Sequence, residues 1–279
     1  MRLNLAFMLC ACLMQVATAA PTAQEIIRQS CERESRDLEL RRQYTWRQHG
    51  VVRQMDKKGG SKDRDNKVLD VFFIDGTEYR RVVEKDGKPL PEKEAREEQA
   101  KIDKAIGKHK RESADGRRKR QEKDRKELED ERRMRREIPN AFNFELLGED
   151  SVNGRPCWKV RAEPKPGYKP TFGDAKFLPK VHGTLWVDKE NYEWAKVDAE
   201  SLDSFSVGLG LLRIGKGFRL LLEQQFVNNE IWAPVSIRIN ANARAMLFIG
   251  GNFDINIAFK DYRKYSVSST VTVASEDAP

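Results

Sequence analysis

The stretch from Gly183 to Ser201, GTLWVDKENYEWAKVDAES, constrains the fold more than any other part of the chain. Leu185 and Val187 fall on one side of an alternating pattern, and Thr184, Trp186 and Asp188 fall on the other. In the second arm Ala195, Val197 and Ala199 oppose Trp194, Lys196 and Asp198. A period of two on both arms marks half-buried strands. Lys189 to Glu193 supplies polar turn residues between them, which predicts an antiparallel hairpin with one apolar face. A lone hairpin is marginal in water, and the sequence goes on to repeat the pattern. Phe218, Leu220, Leu222 and Phe226 are followed by Ile231, Val235, Ile237 and Ile239, and then by Phe253, Ile255, Ile257 and Phe259. The C-terminal half is therefore predicted to be one antiparallel sheet with a large apolar face, and function turns on what that face holds.

The first 19 residues carry one cation, Arg2, an apolar run from Leu5 to Met14, and Ala17 and Ala19 at the positions a signal peptidase reads. They are expected to be a secretory signal peptide rather than a structural helix. The rival reading is a lipobox at Leu9-Cys10-Ala11-Cys12, which would leave the chain membrane-anchored through a lipidated Cys12. No other apolar run reaches the length of a membrane span. After cleavage only Cys31 and Cys157 remain. In an oxidising compartment two cysteines suggest one disulfide, and two buried free thiols are the alternative. The formal charge of +8 suggests acidic partners, and export argues against nucleic acid among them.

Ala23 to Leu40 reads as the first helix, with Thr22 and Glu25 forming a capping box and Ile26, Ile27, Ser30, Cys31 and Leu38 an apolar stripe that should lie on the sheet. Strands are predicted at Tyr44 to Met55, Lys67 to Ile74 and Glu78 to Val83, separated by Gly59-Gly60, Asp75-Gly76 and Asp86-Gly87. Glu92 to Glu137 breaks the pattern with 18 Lys and Arg against 14 Asp and Glu. So few apolar side chains cannot bury much, which predicts either a solvated helical pair broken at Asp115-Gly116 or partial disorder. The Arg117 to Arg120 run has no stacking aromatics beside it, so it reads as a solvated helix face rather than a nucleic-acid site. Ile138-Pro139 is expected to end this insertion. Strands at Ala141 to Leu147 and Arg155 to Glu163 flank Asn153-Gly154, with Trp158 and Val160 on one face and Cys157 on the other, and a Pro-punctuated link runs from Pro164 to Lys180. Ser204 to Gly217 is apolar and glycine-rich, and reads either as an irregular inner strand or as a flap over a cavity. Further strands are predicted at Phe218 to Phe226, Ile231 to Asn240, Ala243 to Ile249 and Phe253 to Lys260, with turns at Asn228-Asn229 and Gly250-Gly251 and a polar tail from Ser268.

The order of elements, together with Asn153-Gly154-Arg155-Pro156 and Trp158-Lys159-Val160, Gly183 to Lys189, and Asp261-Tyr262-Arg263-Lys264-Tyr265, resembles the periplasmic lipoprotein-carrier superfamily with the LolA-like fold, and in particular its outer-membrane-lipoprotein-sorting-like bacterial members. The resemblance covers most of Glu25 to Val267, omitting the charged insertion. It implies a mainly β (α+β) fold, a strongly curved antiparallel sheet or unclosed half-barrel covered by helices, and the residues themselves add the N-terminal helix and a charged helical insertion that departs from the compact carriers. The apolar concave face of such a fold holds acyl chains or a partner's hydrophobic surface. The organisation expected is a signal peptide over 1–19, one β domain over 20–267 interrupted by 92–137, and a tail over 268–279.

Chemistry-bearing motifs are missing from the sequence. His49, His109 and His182 are scattered, and there is no HExxH, CxxC, GxSxG or Walker-type loop. No catalytic residue, metal site or cofactor is therefore assigned. The reading is a non-enzymatic periplasmic carrier for lipid or lipoprotein acyl chains. Its candidate ligand-binding residues are Leu185, Val187, Phe205, Leu209, Leu211, Leu220, Leu222, Ile237, Ile239, Ile255 and Ile257. The alternative is an envelope sensor or scaffold that uses the same fold to bind a protein partner.

Overall fold

The computed structural model describes residues 20–33, 40–56, 60–74, 76–207, 212–245 and 249–265. The predicted signal peptide, the lipobox Cys12, the polar tail and the candidate residues Leu209 and Leu211 lie outside them. Helix α1 (Ala23–Arg33) leads into strands β1 (Tyr44–Met55), β2 (Ser61–Ile74), β3 (Thr77–Lys85) and the two-residue β4 (Lys88–Pro89). Two long helices follow, α2 (Glu92–Lys110) and α3 (Ala114–Ala141). Then come β5 (Phe142–Val152), β6 (Arg155–Pro164), a 3-10 helix (Gly173–Lys180), β7 (Val181–Asp188) and β8 (Trp194–Ser201). The short strands β9 (Phe205–Val207) and β10 (Leu212–Ile214) precede β11 (Arg219–Val227), β12 (Ile231–Ala245) and β13 (Ile249–Lys264).

All these strands join one curved antiparallel sheet in the order β4-β3-β2-β1-β13-β12-β11-β8-β7-β6-β5, with β9 and β10 branching from β12. Its edges, β4 and β5, do not pair, so the sheet stays open. The first strand lies beside the last, from Tyr44 opposite Lys264 to Met55 opposite Asn252. The sheet therefore unites both halves of the chain rather than occupying the C-terminal half. The sheet is curved and unclosed, with α1, the end of α3 and the 3-10 helix packed on one face, which is the half-barrel form that the sequence resemblance implies.

Local chemistry explains most of the elements. The Thr22 hydroxyl accepts from the Glu25 N–H (3.2 Å), and the Glu25 carboxylate accepts from the Thr22 N–H (2.8 Å), so the capping box forms. Asn153 and Gly154 both sit at positive φ (50° and 79°), as the tight turn between β5 and β6 demands. Gly183 is required for a different reason: a Cβ there would come within 2.5 Å of the Asp198 carbonyl oxygen on the neighbouring strand.

Several boundaries move from those the sequence suggests. The helical pair breaks at 111–113 rather than at Asp115-Gly116, because Ser113 caps α3 by accepting from the Gly116 N–H (3.1 Å), which draws Asp115 and Gly116 into the first turn. Pro139 does not end α3, which runs on to Ala141. A proline in a last turn forfeits one hydrogen bond only, and the Pro139 carbonyl is held by the Gln24 side chain (2.8 Å). The Pro-punctuated link contains the unforeseen 3-10 helix. Ala243 to Ile249 is not a separate strand: Gly250 and Gly251 lie inside β13, opposite Arg244 and Ala243.

Three clusters make the core. The largest packs Ile26, Ile27 and Cys31 of α1 and Ala141 of α3 on Val160, Leu185 and Val187 of the sheet, joined by Ala175 and Leu178 of the 3-10 helix. The face so covered is the inner face of the sheet. On the other face Cys157, Trp186 and Ala195 gather a second cluster with Val152 and Trp232, and Tyr44, Val227, Ile231 and Ala233 make a third.

The predicted hairpin acquires one correction. Trp186 pairs with Lys196 but Val187 pairs with Trp194, so Ala195 is a bulged residue. A bulge sets two residues against one and exchanges their facing. Trp194 thus joins the α1 cluster and Ala195 the Trp186 cluster, the reverse of simple alternation.

Candidate functional site: the apolar rows of the inner face

The inner face can be followed strand by strand through the registers. Val160, Leu185, Val197, Leu222, Ile237 and Ile257 stand directly opposite one another on β6, β7, β8, β11, β12 and β13. A parallel row runs Ala162, Gly183, Ala199, Leu220, Ile239 and Ile255, and ends on Val52 of β1. Opposed residues on one face lie within side-chain contact distance, so each row is a continuous apolar band. Both bands end on the far side of β1, where Lys67 faces Gly50 and Asp65 faces Val52.

Eight of the candidate residues therefore share the inner face: Leu185, Val187, Leu220, Leu222, Ile237, Ile239, Ile255 and Ile257. They divide in two. Leu185 and Val187 are buried, at 7% and 0% exposure, under α1 and the 3-10 helix. Leu220, Leu222, Ile237, Ile239, Ile255 and Ile257 are only half-buried and belong to none of the core clusters. Phe205 is buried, its ring 5.7 Å from Phe177 of the 3-10 helix and 6.0 Å edge-on to Phe218, so it serves as packing at the margin of the bands. The strand reading of Ser204 to Gly217 holds at its ends, where β9 and β10 pair as a short ribbon attached to β12. Val160, Val197 and Val52 complete the bands but were not singled out from the sequence. The valines at 160 and 197 stood in visible alternation, and only the register shows that they continue the same row.

The two cysteines do not pair. Both are free and buried, Cys31 under the inner face and Cys157 in the cluster on the opposite face. The sheet separates them, so the suggested bridge is not formed. Burial pushes the Cys31 thiol up to about 12 and the Cys157 thiol to about 11, which makes both poor nucleophiles.

Charged groups near the site serve as fasteners. At the β7–β8 turn the buried Asp188 carboxylate takes two bonds from Arg155 (2.6 and 3.0 Å) and one from the Asn191 N–H (2.7 Å). Burial alone would raise its pKa, but Arg155 and Asn191 outweigh that and hold it below the usual carboxylate range. Glu137 near the end of α3 is buried against burial's own penalty by the hydroxyls of Thr171 and Tyr168, and its pKa is likewise lowered. Among the described residues no group of three or more His, Cys, Asp or Glu is placed to hold a metal ion. None of their helices is long and apolar enough to cross a membrane. The bands themselves contain aliphatic side chains and glycine, which can bury an apolar surface but offer no proton donor, nucleophile or ligand atom.

No family model matches the chain, and no curated protein does. Among solved structures it is similar to a DUF1329 family protein from Desulfovibrio piger, at 11% identity and a TM-score of 0.31, covering 90% of this chain and 96% of that one. It is similar to a LolA superfamily protein from Nitrosomonas europaea, at 11% identity and a TM-score of 0.29, covering 89% and 96%. It is also similar to the Pseudomonas aeruginosa MucA/MucB complex, at 10% identity and a TM-score of 0.24, covering 85% and 93%. These backbones superpose loosely, and the function proposed next rests on the inner face alone.

Proposed function

We propose that this chain is a non-enzymatic binding or carrier protein of the bacterial envelope whose inner face holds an acyl chain of a lipid or lipidated protein. The single observation that supports the reading is the half-exposure of Leu220, Leu222, Ile237, Ile239, Ile255 and Ile257 in two aligned bands. A filled core would bury these side chains as completely as Val187. Monomeric proteins seldom leave aligned large aliphatics accessible without a use for them. Two rows of aliphatic side chains on neighbouring strands offer a strip along which an alkyl chain can lie, each buried methylene contributing about 0.8 kcal/mol.

Titration with a fluorescent fatty acid tests the reading, with native mass spectrometry of protein purified from a bacterial envelope as a second measurement. Saturable binding that Ile237→Asp weakens at least tenfold, with the fold intact, supports it. No saturable binding and no co-purified lipid would sink it. A protein partner that Ile237→Asp releases, in the absence of bound lipid, would instead select the sensor or scaffold reading.

A further inference from the structure

Helix α3 is 28 residues long, about 42 Å at 1.5 Å per residue. Near its start Arg120 bonds the Thr77 hydroxyl (3.3 Å) at the β2–β3 turn. Near its end Arg133 bonds the Thr171 carbonyl (3.1 Å) and stacks over Phe172 (4.3 Å). Between these anchors it walls a groove of about 720 Å³ with the end of α2, Gly76 and the residue Arg42 just before β1. That volume lies within the range of small-molecule sites.

The groove is cationic. Arg42, Lys110, Arg117, Arg120, Arg125 and Arg132 line it from three separate parts of the chain, with His109 beside them and Asp124 as the one carboxylate in the lining. Arg120 is neutralised by Glu112 (3.2 Å) and Arg125 by Glu129 (3.2 Å). Arg42, Lys110 and Arg117 have no ion pair among the described residues. Elsewhere on the same helix the charges are matched locally: Arg118 and Lys119 both pair with Asp115 (2.7 and 2.9 Å). Both faces hold paired cations, but the groove adds Arg42, Lys110 and Arg117, which lack an ion-pair partner among the described residues and converge on one concave space. Like charges at helical spacings repel, and a concave cluster of guanidinium groups suits a phosphate, whose oxygens take paired N–H bonds from the planar fork.

We infer that the groove between α2, α3, the β2–β3 turn and Arg42 is a binding site for a phosphate-bearing anion, supplied either by a lipid headgroup or by a soluble phosphate ester. The inference does not depend on the apolar bands holding lipid, because the groove's walls and theirs share no residue.

The test titrates the full chain, at physiological salt, with inorganic pyrophosphate in one arm and with phosphatidylglycerol vesicles in the other, using phosphatidylcholine vesicles as blank. The double variant Lys110→Gln with Arg117→Gln removes two groove cations. Arg118→Gln with Lys119→Gln removes the same charge from the outer face of the same helix. Saturable binding that falls at least tenfold in the groove variant and less than twofold in the outer-face variant is the expected result. Binding in the pyrophosphate arm identifies a soluble phosphate, and binding in the vesicle arm alone identifies a headgroup. Arg42→Gln changes the opposite wall, outside the helices, and should weaken the same arm even if the helix variant melts. Equal losses in the groove and outer-face variants, or no saturable binding in either arm, would overturn the assignment.

Discussion

Along β6 and β7 the inner side chains are sealed beneath α1, whereas along β11, β12 and β13 the same face, in the same rows, stays half open. Aliphatic character does not explain the difference, since Val160, Leu185 and Val187 at one end are as apolar as Leu222, Ile237 and Ile257 at the other. What differs is the lid. Ile26 and Ile27 are fully buried on the Val160 end, and none of the core clusters includes a side chain packed over Ile237 or Ile257. One sheet face can therefore be core at one end and binding surface at the other, and exposure, not hydrophobicity, separates the two roles.

The largest expected effect sharpens that contrast. Ile27→Ala should cost about 2 to 5 kcal/mol, as large-to-small core substitutions do, while Ile237→Ala should cost about 1 kcal/mol because fewer of its contacts are with protein. Urea unfolding of both variants measures the gap, and equal costs would mean that the open end is ordinary core. Next comes the fastener of the covered end. Asp188→Ala breaks a buried ion pair and should cost about 3 kcal/mol, below the fully buried limit because Arg155 is partly exposed. Because the folded-state pKa of Asp188 is depressed, its contribution is complete above the ordinary aspartate pKa of about 3.9 and is lost as pH falls through the lower folded value. A wild-type acid titration that is steeper below about pH 4 than that of Asp188→Ala is the expected observation.

A third measurement compares the ends directly. Amide exchange with and without a bound fatty acid should slow at least tenfold in β11 to β13 and remain unchanged in β6 and β7, where opening already requires α1 to leave. Uniform protection of both would erase the comparison. The smallest effect concerns the lid itself: Thr22→Ala removes the cap of α1 and should cost about 1 kcal/mol by thermal melting, with no change in fatty-acid affinity. A loss of affinity as large as that of Ile237→Asp would show that α1 shapes the open end as well.

Much of this architecture was legible residue by residue. The alternation in Leu185 and Val187, in Leu220 and Leu222, and in Ile255 and Ile257 marks strands and assigns each side chain to a face, because strand geometry has a period of two. The Thr22–Glu25 box and the Asn153-Gly154 turn are equally local. Ala195 escaped the pattern because a bulge is a mismatch between two strands and leaves no mark in one of them. The break between α2 and α3 was misplaced because Asp115-Gly116 reads as a turn until Ser113 is known to cap the helix. The cationic groove could not be read from charge counts, since Arg117 and Arg118 look alike in sequence and lie on different faces of one helix.

By itself, then, the sequence determined most of the strands, the facing of their residues away from the bulge, and the apolar character of the inner surface, all of which depend on neighbours within a few residues. Tertiary structure alone decided that β1 lies against β13, that the sheet stands between Cys31 and Cys157, that α1 covers one end of the bands and leaves the other accessible, and that Arg42 lines a groove across from α3. Each of these depends on registers and packing between residues far apart in the chain, where the free energy of burial is shared among many contacts and no local pattern records which partner is chosen.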